Sequence, residues 1–269
     1  MKVAVIGGGI MGGTLVKCIL RARLASKGDI VVSDVSHDRR ELMKKRYGVA
    51  VTDNNAEAVN GVDAVIMAVK PQELAGVLSR LSGHLASQLV ISIAAGISLE
   101  TISQISKQSA VVRAMPNTPA QVGKGMTVWT SSGELSSEKH DMARLILASM
   151  GEEMFLKDEK YLDMATAVSG SGPAYVFLFM EALIDAGVHI GLTRDVAQKL
   201  VIETVAGSAE AMKKMCRHPA ELRNMVTSPG GTTAEALLRL ESGGMRSLVI
   251  SAVIDAYDKA QRLETKKAG

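Results

Sequence analysis

Val3-Ala4-Val5-Ile6 runs directly into Gly7-Gly8-Gly9-Ile10-Met11-Gly12, and no other feature of the 269 residues restricts the fold as much. The apolar run reads as a buried strand, the glycines end it, and Ile10 to Ala25 has the periodicity of a helix. G-x-G-x-x-G placed between a strand and a helix is the first turn of a dinucleotide-binding βαβ unit. Gly7 permits the tight turn and Gly9 lets backbone N–H groups approach a pyrophosphate. Gly12 allows close helix packing, and the helix N-terminus supplies partial positive charge.

The pattern continues as strand and helix in alternation, which predicts a parallel sheet with crossover helices. Strands are expected at Lys2 to Gly7, Ile30 to Asp34, Ala50 to Val51, Val62 to Val69, Leu89 to Ile93, Ala110 to Met115, Gly125 to Thr130 and Glu152 to Leu156. Helices are expected at His37 to Tyr47, Gln72 to Ser82 after Pro71 at its first position, Leu99 to Ile105, and Ser137 to Met150 behind a Ser-Ser-Glu cap. Beyond residue 158 the β-branched signal disappears. The chain then reads as helix, with breaks at Gly170 to Pro173, Gly191 to Thr193, His218-Pro219, Ser228 to Gly231 and Gly243-Gly244. Two domains follow, 1–157 and 158–269. Tyr175 to Ile190 is apolar on nearly every face, so its burial is expected in a subunit interface.

Composition narrows the function classes. The net charge is only +3, no long basic run appears before the Lys266-Lys267 tail, and aromatics make up 3%, which leaves little for a nucleic-acid surface. Contiguous apolar stretches such as Ala64 to Val69 fall short of the roughly 18 residues a membrane helix needs. The glycines after Ile6 would break the helical core of a secretory leader. Cys18 and Cys216 stand alone in apolar helical contexts, which predicts buried free thiols in a reducing cytoplasm. His37, His84, His140, His189 and His218 are scattered without metal-ligand spacing, so no metal site is expected.

Asp34 ends the second strand 22 residues beyond Gly12, near the spacing of the acid that bonds a ribose 2′-hydroxyl in NAD sites. Arg39 and Arg40 follow closely and could instead face the 2′-phosphate of NADP, or simply be solvated. These residues leave the choice of dinucleotide open.

Several segments resemble pyrroline-5-carboxylate reductases, which make L-proline in the last step of its biosynthesis. They are Ala68-Val69-Lys70-Pro71, Ser92 to Gly96, Arg113-Ala114-Met115-Pro116-Asn117-Thr118-Pro119-Ala120, Val168 to Tyr175, and Ser228-Pro229-Gly230-Gly231-Thr232-Thr233. The resemblance implies an α/β fold, with an N-terminal Rossmann-type doubly wound domain and a C-terminal all-α dimerisation domain. It also implies NADPH or NADH as reductant of a cyclic imine, in a dimer or a decamer built from dimers. Carried over by position, the cofactor contacts fall on Ile6, Gly7, Gly8, Gly9, Ile10, Met11 and Gly12, on Ser33, Asp34 and Asn55, on Ala68, Val69, Lys70 and Pro71, and on Ala94, Ala95 and Gly96. Asp34 departs from the polar or basic residues usual after the second strand, and NADP(H) is narrowly favoured over NAD(H).

The chemistry needs a hydride acceptor held in place and a proton for the ring nitrogen, so no triad or metal is required. The resemblance places the donor hydroxyl on Thr233, a residue that could also cap the helix running to about Ser242. Gly230, Gly231 and Thr232 offer consecutive N–H groups for the substrate carboxylate, though the same letters also read as a plain helix-to-helix turn. Lys70 would line the cofactor channel, and Arg113 would either pair with the substrate or tie down its loop. Ser171 and Gly172, with Pro173 at the first helical position, could touch a ligand. Glu159 matches a family position near the cofactor, or is a helix-start charge. Rival readings are a related imine or β-hydroxyacid reductase, the latter disfavoured because the helix after Pro173 has no lysine, and a non-catalytic NAD(P)-binding sensor.

Overall fold

The computed structural model describes residues 1–133 and 135–265, the last three by backbone alone, so Lys266-Lys267 lie outside the described residues. The chain divides into two compact units: Met1–Ser171 together with the chain from Ala256 onward, and Gly172–Asp255.

The first unit is built on eight strands: β1 (Val3–Ile6), β2 (Ile30–Ser33), β3 (Ala50–Thr52), β4 (Ala64–Met67), β5 (Leu89–Ser92), β6 (Val111–Met115), β7 (Gly125–Ser131) and β8 (Gly151–Phe155). Their order in the sheet is β3-β2-β1-β4-β5-β6-β7-β8. All neighbours pair in parallel except β6 with β7, which are antiparallel. That pair departs from the all-parallel expectation. Only a short 3₁₀ turn, Thr118–Val122, joins the two strands, too little chain for a crossover helix.

Helices α1 (Ile10–Arg21), α2 (His37–Tyr47), α3 (Asn55–Ala58), α4 (Pro71–Leu81), α5 (Leu99–Ser106) and α6 (Ser137–Ala148) follow or link these strands. Alternate residues of a strand face opposite sides, and β1 shows both cores. Val3 and Val5 pack with Leu15, Val16 and Ile19 of α1, Met43 of α2 and Ile146 and Leu147 of α6. Ala4 and Ile6 pack with Leu74, Leu78 and Leu81 of α4 and Ile102 of α5. Each such fully buried aliphatic contributes about 1.5 to 3 kcal/mol. Sequence periodicity overlooked α3, which is too short to show a period. It starts because the Asn54 side chain caps the Ala56 and Glu57 N–H groups.

Next comes α7 (Lys160–Ala165), then a π-helical turn over Thr166–Gly170. Here the expected break at Gly170 to Pro173 is absent. Ser171 N–H bonds back to Thr166 O at 2.8 Å, and the helix continues as α8 (Gly172–His189). A π-turn takes up one extra residue, which lets the run pass a proline whose missing N–H would interrupt a regular ladder. Pro173 is therefore not at a free helix start. As one run, Lys160–His189 is long and apolar enough to cross a membrane by length and composition, a stretch missed when only contiguous apolar letters were read.

The second unit holds α8, α9 (Arg194–Met215), α10 (Pro219–Met225), α11 (Thr232–Ser242) and the first half of α12 (Met245–Thr265). The breaks expected at Gly191 to Thr193, His218-Pro219, Ser228 to Gly231 and Gly243-Gly244 all separate helices. Within the single chain α8 buries none of its residues, and Phe177 and Leu178 are 61% and 67% exposed. Cys18 is buried as expected, but Cys216 is exposed. Cys216 stands in left-handed conformation just past α9, at φ 49°, where the helix has already ended.

Candidate active site

The strand order reverses at β1, between β2 on one side and β4 on the other, and ligands of open α/β sheets bind outside the carboxyl ends at such a point. The expected cofactor residues gather there. The Gly7-to-Gly12 turn leaves β1, Ser33 and Asp34 end β2, and Asn55 opens α3 after β3. Ala68 to Pro71 leave β4, and Ala94 to Gly96 leave β5.

Backbone contacts lock these segments together. Gly7 N–H donates to Ser33 O at 2.7 Å, and Ala68 N–H donates to Ile6 O at 2.8 Å. Gly7 has φ +107°, and a Cβ there would lie 2.6 Å from the Ala68 carbonyl oxygen. A Cβ on Gly12 would collide with the carbonyl oxygen of Gly7. Glycine is thus required at both positions. Gly9 differs, since a Cβ there would meet nothing within 4 Å. It is the N-cap of α1, and no side chain closes that cap. The first N–H groups of α1 are therefore left without a capping side chain, a setting that suits a pyrophosphate.

At the end of β2, Asp34 is buried, and its Oδ2 accepts the Gly8 N–H at 2.7 Å while Oδ1 accepts the Ser36 N–H at 2.9 Å. Arg39 stands 3.6 Å from Oδ2. Arg40 donates to the backbone carbonyls of Asp34 and Val35 and faces Asp53 at 3.5 Å. Ser33 Oγ donates to Asn55 Oδ1 at 2.6 Å, so the Asn55 amide group is left as a donor. Lys70 is exposed, caps α4 with its backbone, and makes no ion pair among the described residues.

Across the sheet the ladder aligns Ser33, Ile6, Met67, Ser92 and Arg113 in one row. Ser92 Oγ accepts the Ala94 N–H at 3.3 Å. Arg113, 3% exposed, bonds Glu159 Oε1 at 2.8 Å and Asp163 Oδ1 at 2.7 Å. Of its two expected roles, the geometry therefore favours tying the chain down. Removing one partner of a buried charge cluster typically costs about 3 to 5 kcal/mol. Glu159 does not cap α7 with its side chain; its Oε1 also accepts the Leu99 N–H at 2.8 Å. Asn117 escaped the sequence reading as an individual residue. Its amide donates to Ser169 O at 3.2 Å and its Oδ1 accepts the Met126 N–H at 2.9 Å, holding the π-turn against the β7 strand. Its place inside the Met-Pro-Asn-Thr-Pro segment was the available signal.

In the helical unit, Gly231 is the N-cap of α11, again with no capping side chain. Thr233 lies in the first turn, so its expected alternative as the cap is corrected: the chain has already become helical at Thr232. Gly230 has φ +67°, and a Cβ on Gly231 would strike Ser228 Oγ. Gly231 N–H bonds Ser228 O at 3.1 Å, while the N–H groups of Thr232 and Thr233 have no intrahelical acceptor. The Thr233 hydroxyl has no hydrogen-bond partner among the described residues. Nor does any group of three or more His, Cys, Asp or Glu side chains converge among them.

A glycine turn at the switch point of a doubly wound sheet, with an uncapped helix behind it, defines a dinucleotide-binding protein. Residues 2–96 match the family model described as NADP oxidoreductase, coenzyme F420-dependent, and residues 159–263 match that for pyrroline-5-carboxylate reductase dimerisation. The chain is 41% identical over 266 residues to the pyrroline-5-carboxylate reductase of Synechocystis sp., covering 99% of each. Its fold is similar to the Coxiella burnetii pyrroline-5-carboxylate reductase, with TM-score 0.89 and 35% identity, over 97% of this chain and 98% of that one. It is likewise similar to the Plasmodium falciparum pyrroline carboxylate reductase with NADP bound, with TM-score 0.90 and 34% identity, over 98% of each chain. The chain belongs to the pyrroline-5-carboxylate reductase family. It is accordingly an NAD(P)H-dependent reductase of a carbon–nitrogen double bond.

Proposed function

We propose that the chain reduces 1-pyrroline-5-carboxylate to L-proline in the cytoplasm, with NADPH as the favoured reductant and NADH as an alternative. The observation that carries this reading is the pair of helices, α1 and α11, that begin on glycine without a capping side chain. Each offers free N–H groups to an anion, one suited to a pyrophosphate and one to a small carboxylate. When bound, the dinucleotide supplies the hydride that reaches the imine carbon.

The chain's own residues divide the remaining work. Ile6 to Gly12 cradle the pyrophosphate, and Ser33, Asp34 and Asn55 face the adenosine ribose. Ala68 to Pro71 and Ala94 to Gly96 border the rest of the cofactor. Gly230 and Thr232 hold the substrate carboxylate through backbone N–H groups, while Gly231, whose N–H is engaged by Ser228 O, shapes the turn that presents them. Thr233 donates a hydrogen bond from its hydroxyl to the imine nitrogen and so fixes the acceptor's orientation, and the proton that ends on the nitrogen comes ultimately from water, which leaves the threonine neutral.

The dinucleotide-binding domain is taken as 1–157 and the substrate and dimerisation domain as 158–269. The match of residues 159–263 to a dimerisation family supports a homodimer in which the exposed apolar side of α8 meets a second copy rather than a membrane. A decamer of such dimers is the larger assembly, and nucleic acid is not a partner.

The deciding experiment follows 340 nm absorbance as the purified protein meets 1-pyrroline-5-carboxylate with NADPH and, separately, with NADH. Turnover is expected with both. Thr233→Val should lower kcat by about two orders of magnitude while leaving NADPH affinity, read by its fluorescence, unchanged. Tight NADPH binding with no turnover would instead point to a sensor, and an unaltered kcat in Thr233→Val would remove the hydroxyl from the reaction.

A further inference from the structure

One carboxylate oxygen ties three elements together beside the sheet's carboxyl edge. Glu159 Oε1, at the start of α7, accepts both the Arg113 guanidinium of β6 and the backbone N–H of Leu99, the first residue of α5. Between β5 and α5 runs the segment 93–98, which contains Ala94, Ala95 and Gly96. Ser92 Oγ holds its near end through the Ala94 N–H, and Glu159 holds its far end through Leu99. Gly96, at φ +66°, makes the turn between these two fastenings.

Asp163 offers an internal comparison. It bonds the same guanidinium, at 2.7 Å, but none of its hydrogen bonds reaches α5. The Arg113 side chain is 4% exposed, Asp163 8% and Glu159 28%. The buried pair is therefore Arg113 with Asp163, while Glu159 sits partly in solvent and points one bond at the loop-bearing helix. If the cluster served folding alone, the better-buried Asp163 would suffice to neutralise the arginine.

We propose that Glu159 is a positioning residue for cofactor binding, holding the Ala94–Gly96 loop in its binding shape through the Leu99 N–H, with Arg113 fixing the carboxylate. This rests on the reading of that loop as a border of the dinucleotide site. A fixed loop binds without first losing its freedom, so the effect belongs to cofactor affinity rather than to the chemical step.

The test measures NADPH dissociation constants by nicotinamide fluorescence, together with Tm and the kcat-against-KM split, in the full-length protein. Glu159→Ala should raise the Kd and KM for NADPH about tenfold with kcat nearly unchanged, since a hydrogen bond to a charged group is lost. Glu159→Gln keeps an acceptor for Leu99 and should restore affinity to within about twofold. Leu99→Pro removes the same N–H at a first helical position that tolerates proline, and should reproduce the rise without touching the ion pairs. Asp163→Asn should lower Tm and leave Kd unchanged. The proposal is overturned if Asp163→Asn weakens NADPH binding as much as Glu159→Ala does. It is equally overturned if both Glu159→Ala and Leu99→Pro bind normally. Ala95→Leu separates the two levels: normal NADPH affinity in that variant would remove the loop from the cofactor site and the proposal with it. Weakened affinity there, beside normal Glu159→Ala, would sink the positioning role alone.

Discussion

The carboxylate of Asp34 accepts the backbone N–H of Gly8 at 2.7 Å, so the residue proposed to read a ribose also braces the glycine turn. With Ser36 N–H on its other oxygen, the side chain keeps lone pairs that, on the proposed reading, would suit a 2′-hydroxyl and oppose a 2′-phosphate. Asp34→Ser should therefore raise the ratio of kcat/KM for NADPH over NADH by about tenfold. An unchanged ratio would confine Asp34 to bracing the loop.

Two glycines of the same turn should fail in different ways. Gly12→Ala places a Cβ against the Gly7 carbonyl and should destabilise the fold by about 3 kcal/mol or more, visible as a large drop in Tm. Gly9→Ala meets no neighbouring atom, so Tm should stay within a degree or two while NADPH affinity falls about tenfold or more. Equal Tm losses in the two variants would contradict this assignment.

Thr127 on β7 buries a hydroxyl that has no partner among the described residues. Thr127→Val keeps the shape and removes the unmet polar atom, so a gain of about 1 kcal/mol is expected in urea unfolding. A loss of stability would mean that the hydroxyl has found a partner such as water.

Burial lifts the Cys18 thiol above its usual range, against smaller opposing pulls from Arg21 and Lys17. A raised native pKa means that the unfolded chain gives up this proton first. The stabilisation is then complete below the ordinary thiol value of 9.0 and is lost as pH rises through the native value. As pH rises past 9.0, Tm should fall more steeply for the native sequence than for Cys18→Ala; parallel slopes would refute the link.

Much of the first unit was legible because buried parallel strands are written as unbroken apolar runs such as Val3 to Ile6, Ala64 to Met67 and Leu89 to Ser92. The glycine turn was legible because its mechanism fixes both letters and place. The run at Ser169-Gly170-Ser171-Gly172-Pro173 misled, since residues that normally stop a helix here end or follow a π-turn held from outside by Asn117. That support comes from a residue 52 positions away and leaves no local trace. The same is true of Glu159 with Leu99, and of Asp34 with Gly8. Each joins a side chain to a backbone N–H far along the chain, and spacing along a sequence does not encode such meetings.

The open starts of α1 and α11 have a thermal consequence. Most natural helices close their first turn with a serine, threonine or aspartate, a feature worth about 1 kcal/mol. Among the helices that forgo it, α1 and α11 begin on glycine, and an anion at either turn would make up that deficit. Heat resistance should consequently track the supply of dinucleotide and imino acid, growing with the logarithm of their concentrations above Kd. Removing both ligands should accordingly make the polypeptide softer and easier for proteases to cut, which would link its persistence to the molecules that it processes.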